Sequence, residues 1–170
     1  MSIVSTNIPY SSSVFYNDLQ RLLTTYPFLN SKIIGYSILE KPIYVITIGT
    51  GKNQVFYSAA FHANEWITSP ILMNFINDIS NAYLTNTNLM GYSVTDLLNT
   101  TTIHLCPMVN PDGVDLVTGA LSTNSSSYIS ARNIASSYPD IPFPDGWKAN
   151  IRGVDLNLQF PARMGKCKRN

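Results

Sequence analysis

The sequence predicts an α/β chain built around a large buried β-sheet. Only 12% of its 170 residues are charged, against 45% apolar, a balance that favours much buried strand over solvated surface. Runs rich in β-branched and aromatic residues recur at 43–48, 54–60 and 101–108. Segments of helical period stand before and between these runs.

The first helix is expected from about Ser13 to Tyr26. Phe15, Leu19, Leu22, Leu23 and Tyr26 fall on one helical face, Ser11 to Ser13 can cap the first amides, and Pro27 ends the run. Lys32 to Ile38, Ile43 to Ile48 and Gln54 to Ala60 read as strands. Glu40-Lys41-Pro42 is short enough for a hairpin, and Gly51-Lys52-Asn53 predicts a second one. A long helix is expected from Thr68 to Tyr83, with Pro70 in its first turn and an apolar stripe of Ile71, Leu72, Phe75, Ile76 and Ile79. A short helix follows at Val94 to Leu98. Thr101 to Met108 reads as a buried strand ending in a turn at Asn110-Pro111-Asp112-Gly113. The Ser- and Asn-rich stretch from Ser122 to Ser137, with the three prolines from Pro139 to Pro144, is expected to form a long surface excursion. Gly153 to Phe160 alternates apolar and polar residues and reads as a short strand or extended segment facing a site.

Composition excludes several functions. Eleven basic against ten acidic residues give a net charge of +1, which offers no electrostatic hold on a nucleic acid. No apolar run is long enough for a membrane span, and Met1 to Tyr10 lacks the basic start and apolar stretch of a secretory signal. Two cysteines, Cys106 and Cys167, make no disulfide framework. A cytoplasmic location is the expectation.

The sharpest chemical feature is Phe61-His62-Ala63-Asn64-Glu65-Trp66, placed between a strand and a helix. His62 and Glu65 are three residues apart, which brings both side chains to one side of a tight turn. An imidazole and a carboxylate are normal zinc ligands, and a catalytic zinc needs a third protein ligand and an open position. By itself the pair more often describes two polar residues in a strand-to-helix loop. His104 reads as a partly buried strand histidine and Cys106 as a small core residue.

Three motifs in order change that balance. His62-Ala63-Asn64-Glu65-Trp66-Ile67-Thr68-Ser69-Pro70 resembles the first zinc-ligand segment of the zinc carboxypeptidase family, the carboxypeptidase A-like metallopeptidases. Pro107-Met108-Val109-Asn110-Pro111-Asp112-Gly113 resembles the family's turn after a central strand, and Gly153-Val154-Asp155-Leu156-Asn157 its substrate-side segment. The resemblance covers about Tyr10 to Ala162. It implies a mixed β-sheet flanked by helices on both faces, of which this chain carries the N-terminal part. It also implies zinc as cofactor and metal-assisted hydrolysis of an amide bond, with a glutamate base and a cation at the oxyanion.

Exopeptidase members use an Asn-Arg pair on the substrate's terminal carboxylate. Here the pair reads Asn157-Leu158, and leucine cannot bind a carboxylate. The stretch from Trp147 to Ala162 instead resembles the bacterial γ-D-glutamyl-meso-diaminopimelate peptidases, which implies a peptidoglycan stem peptide as substrate. Carried over by position, Lys148 becomes the oxyanion cation, with Arg152 as the alternative and a substrate contact. Asn157 becomes a substrate-binding residue. Asp155 becomes either a partner that orients His62 or a carboxylate that stabilises its own turn.

The family's third zinc ligand and general base lie beyond the Asn157 segment, and no histidine follows His104. Residues 1–162 are therefore expected to be the N-terminal portion of a catalytic domain, inactive alone. The alternatives are a non-catalytic muropeptide-binding module or a fragment without function. Residues 163–170 do not follow the family wording, but a one-base shift of compatible codons restores Gly-Trp-Glu after Ala162, so an out-of-frame tail is the hypothesis. Codons that do not permit this restoration would reject it. A sheet left partly covered would expose an edge and favour self-association.

Overall fold

A computed structural model describes residues 3–160 of the chain. The boundary at 162, the tail 163–170 and Cys167 lie outside the described residues. The elements in chain order are α1 (Ser12–Thr25), β1 (Asn30–Tyr36), β2 (Pro42–Ile48), β3 (Asn53–Ser58), α2 (Thr68–Leu84), β4 (Asn88–Leu89), β5 (Tyr92–Ser93), α3 (Val94–Thr100), β6 (Thr101–Cys106), α4 (Pro111–Val117) and α5 (Ser126–Ala135). Single turns of 3₁₀ helix occur at Ala63–Glu65 and Leu156–Leu158.

The sheet is mixed, in the order β1-β2-β6-β3. β1 and β2 pair antiparallel across the expected hairpin, β2 and β6 pair antiparallel, and β3 runs parallel to β6. The expected second hairpin is absent. β6 inserts between β2 and β3, so the glycines that suggest a turn serve another purpose. A Cβ on Gly51 would lie 1.8 Å from the carbonyl carbon of Thr100, and one on Gly49 2.2 Å from the carbonyl oxygen of Thr101. Only glycine lets the chain pass so close to the junction of α3 and β6 on its way to the far side of that strand.

One face of the sheet presents Ile46, Ile48, Ile103 and Leu105 to Phe15, Leu19 and Leu22 of α1 and to Met73, Ile76 and Ile79 of α2, forming one buried cluster. Ser11 caps α1 by accepting the Val14 N–H. The stripe of α2 is rotated from expectation: Met73 takes a core place, while Ile71 is 62% exposed. Ser69 and Ser80 share the buried side with these residues, and small residues there let the helix sit close to its neighbours. On the other face of the sheet the His104 ring meets Thr47 Oγ1 at 3.0 Å and Gln54 Oε1 at 2.7 Å. Both of its nitrogens are thus engaged, as suits a structural strand histidine.

Three further segments depart from the sequence expectation. Asn110-Pro111-Asp112-Gly113 is a helix start, not a free turn: Asn110 accepts the Gly113 N–H, and Pro111 takes the first helical position. The serine-rich excursion contains α5, capped by Ser125. Gly153 to Phe160 is a turn and a 3₁₀ turn rather than a strand, because Asp155 accepts the Asn157 N–H and closes the chain on itself.

A buried polar knot joins α4 to the start of α1 and to the β1-β2 turn. Asp115 accepts from the Ser12 N–H and Oγ, each at 2.6 Å, and from Lys41 Nζ at 2.7 Å. Asp112 accepts from Ser37 Oγ and the Leu39 N–H. The knot fixes α4 against α1 and the β1-β2 turn, and α4 in turn carries the site.

Candidate metal centre

The chain leaves β3 at Ser58 and turns at Ala60, whose φ of +50° lies in the left-handed region that costs an alanine backbone strain. Tertiary bonds hold the bend. Ala59 N–H donates to Cys106 O, Ala60 N–H to Thr68 Oγ1, and the Val109 and Asn110 amides donate to Ala59 O and Ala60 O. From this anchored bend the 3₁₀ turn Ala63–Glu65 projects His62 and Glu65.

A second wall is stitched to this turn. The Ala63 N–H donates to Lys148 O at 3.0 Å and the Asn64 N–H to Trp147 O at 3.1 Å. Asn110 Nδ2 donates to both Phe61 O and Ala149 O. Gly113 completes the fit, since a Cβ there would stand 2.8 Å from Ala63 Cβ and 2.8 Å from Ala149 O. In the sequence Asn110 and Gly113 read only as turn residues. The order Asn-Pro-x-Gly after a buried strand also fits a helix cap, which would have signalled their place.

His62 Nδ1 lies 3.1 Å from Glu65 Oε1, and His62 Nε2 lies 3.3 Å from Asp155 Oδ1. The imidazole is mostly buried at 17% side-chain exposure, while Glu65 is open to solvent at 51%. In the tautomer in which Nε2 donates to Asp155, the lone pair of Nδ1 faces Glu65. Two tetrahedral zinc donors at about 2.0–2.2 Å from one ion stand about 3.3–3.6 Å apart, so the 3.1 Å pair needs to open only by a few tenths of an ångström to share a divalent ion. Among the described residues no cluster of three such donors occurs. Asp155 also accepts the Asn157 N–H at 3.0 Å, so it both faces His62 and closes its own turn.

The remaining sequence-nominated residues divide. Lys148 lines a cavity of about 630 Å³ together with Asn64 and Asp155. Arg152 and Asn157 are exposed and stand outside that lining. Arg152 donates only its backbone N–H, to Asn150 Oδ1, among the described residues. Leu158 is 61% exposed, and Phe160 packs on Phe61 with ring centroids 5.9 Å apart. An apolar lip therefore borders the turn.

The family model described as zinc carboxypeptidase matches residues 15–169. The chain is 48% identical over 154 residues to gamma-D-glutamyl-L-diamino acid endopeptidase 1 of Lysinibacillus sphaericus, covering 91% of this chain and 38% of that protein. It is 36% identical over 157 residues to the uncharacterized protein YqgT of Bacillus subtilis, covering 90% and 40%. It thus spans about two fifths of the length of these curated relatives. The crystal structure of thrombin activatable fibrinolysis inhibitor superposes with a TM-score of 0.62 at 21% identity, over 88% of this chain and 32% of that one. At that identity the likeness concerns the fold alone.

Proposed function

The chain belongs to the zinc carboxypeptidase family, and from that premise we propose that it carries the metal loop and one substrate wall of a zinc peptidase that cuts γ-D-glutamyl–diamino acid bonds in peptidoglycan stem peptides. The observation that carries this is the two-sided engagement of His62: Nδ1 toward Glu65 at 3.1 Å, Nε2 toward Asp155 at 3.3 Å. His62 Nδ1 and Glu65 would hold the zinc. Bound there, the ion supplies Lewis-acid chemistry at an amide carbonyl.

The chain's own residues do the rest of what is assigned here. Asp155 holds the proton on Nε2 and keeps the ring oriented. Lys148, tied to the loop through its backbone carbonyl, supplies positive charge beside the reacting carbonyl. Arg152 is the alternative cation at the mouth, and Asn157 contacts the peptide. Leu158 stands where carboxylate-reading members place arginine, which favours cleavage inside a peptide over removal of a terminal residue. The bond attacked in the relative's printed name, a γ-D-glutamyl link to a diamino acid, fits that preference.

These residues supply two metal donors, and a catalytic zinc requires three. The 170 residues are therefore expected to bind the ion weakly and without turnover. No helix among the described residues is long and apolar enough to cross a membrane, and the working location proposed is the cytoplasm. We also infer that β3, unpaired on its outer side among the described residues, pairs with a second copy of the chain.

Zinc titration against a chromophoric competitor tests the metal assignment. Saturable one-to-one binding that H62A abolishes is expected. Binding unchanged in H62A and E65Q would overturn it.

A further inference from the structure

A γ-linked glutamyl group carries a charge that an ordinary peptide lacks at that place. Its side-chain carboxyl forms the bond to be cut, so its α-carboxylate stays free, up to about 5 Å from the reacting carbonyl. Such an anion, once partly enclosed, needs a cation. The residue after the cut bond belongs beside Asn157 and Leu158, and neither lines the cavity of about 630 Å³ that opens next to the metal turn. Lys148, the cation assigned to the reacting carbonyl, does line it. The cavity therefore extends on the acyl side of the bond, and its volume falls within the range of sites that enclose a small ligand.

Lys148 is the one cation among the described residues of that lining, which also holds the carboxylates of Asp140 and Asp155. Neither carboxylate favours an anionic ligand group, and Asp155 already faces His62 and accepts the Asn157 N–H. An anion in the cavity gains only at Lys148. Backbone bonds fix where that lysine starts. Its carbonyl accepts the Ala63 N–H at 3.0 Å, and the Trp147 carbonyl accepts the Asn64 N–H at 3.1 Å, so its Cα is tied to the residue that follows His62. The side chain is exposed and makes no ion pair among the described residues, which leaves the three N–H donors of its ammonium for a ligand. On the same lining, Phe143 and Trp147 meet edge to face with centroids 5.7 Å apart and offer apolar cover to methylene groups. We propose that this cavity is the acyl-side subsite for the γ-D-glutamyl residue, in which the Lys148 ammonium donates hydrogen bonds to the free α-carboxylate as well as facing the reacting carbonyl. The assignment rests on the function proposed above and adds to it the group that tells a γ-glutamyl bond from an α-peptide bond.

The test uses the metal-free 170-residue chain and two synthetic probes, N-acetyl-γ-D-glutamyl-L-lysine and N-acetyl-D-isoglutaminyl-L-lysine, titrated while amide spectra are recorded. They differ only in the α-carboxylate, which the second carries as a neutral amide. The carboxylate probe is expected to bind roughly three- to tenfold more tightly, between the worth of an exposed ion pair and that of a charge-assisted hydrogen bond. K148M should remove that difference, and K148R should keep it. An unchanged amide spectrum of each free variant, away from the substituted position, verifies that the fold is intact. Equal binding of both probes, a preference that survives K148M, or one that K148R loses as fully as K148M overturns the subsite while leaving the peptide site standing. Binding of neither probe overturns both.

Discussion

His62 concentrates the chemistry of the chain in one ring, because each nitrogen has a different carboxylate to face. Removing the outer one separates orientation from ligation. D155N keeps the shape but offers Nε2 an amide in place of an anion, and zinc affinity is expected to fall about 10- to 100-fold. The nitrogen-15 shifts of the His62 ring should at the same time show loss of the Nε2–H tautomer in the metal-free chain. An unchanged tautomer and unchanged affinity would reduce Asp155 to a turn residue. A different set of residues governs the response to alkali. Burial pushes the Cys106 thiol up from 9.0 to about 11, and burial with the adjacent Asp18 carboxylate raises the Tyr10 phenol above its usual range. Both groups are held neutral by folding, and the unfolded chain releases their protons first. Their stabilisation is therefore complete below pH 9 and lost as pH rises above it. The Tm should stay level to about pH 9 and then fall. C106A should remove the part of that fall lying between pH 9 and 11. A Tm that rises across this interval would contradict the burial argument.

At the scale of elements, α4 positions the site. It is pinned behind by Asp115 and presses Gly113 against the metal turn in front. D115A leaves the Ser12 amide without its acceptor and the Lys41 ammonium with only Asp112 Oδ1, at 3.5 Å, and should cost about 3 kcal/mol in chemical denaturation. A loss below 1 kcal/mol would show that water replaces the carboxylate. G113A forces a Cβ into Ala63 and Ala149, which must part the metal turn from the Trp147-Lys148 wall. Zinc affinity should then fall even where the variant remains folded by circular dichroism. These two roles mark what the sequence made legible and what it did not. Periodicity located α1 and α2, each of which buries one face, and β-branched and aromatic content marked the strands, although β1 and β3 bury no residue fully among the described residues. The motifs drew attention to His62, Glu65, Asp155 and Lys148. Strand order was hidden: nothing local in Gly49-Thr50-Gly51 says that β6, some fifty residues on, will lie between β2 and β3. α4 was missed because a capped helix start and a turn share the same residues, and α5 because its serines suit caps and loops alike.

For the whole molecule, the decisive feature is a sheet whose described helices α1, α2 and α3 pack on one face. Phe56 projects on the other at 58% exposure, beside His104 in register. β3 is also an edge: its inner side is bonded to β6 along six residue pairs, and among the described residues its outer side meets no strand. Its sequence, Asn53-Gln54-Val55-Phe56-Tyr57-Ser58, contains no charge and no proline, so it lacks the usual guards against edge pairing. Tyr57 is 50% exposed on the side of the sheet toward α2, where it meets Phe75 edge to face. A second copy could thus add a strand to β3 and cover aromatic surface on both faces at once. Sedimentation velocity at rising concentration should show dimer or larger species, with a Tm that climbs in parallel. Phe56→Lys places a charge on the open face without touching the core cluster, and should return the chain to a monomer with little loss of secondary structure. A wild-type chain that sediments as a monomer at every concentration, with a Tm independent of concentration, would mean that the edge is guarded by something other than β pairing with its own kind.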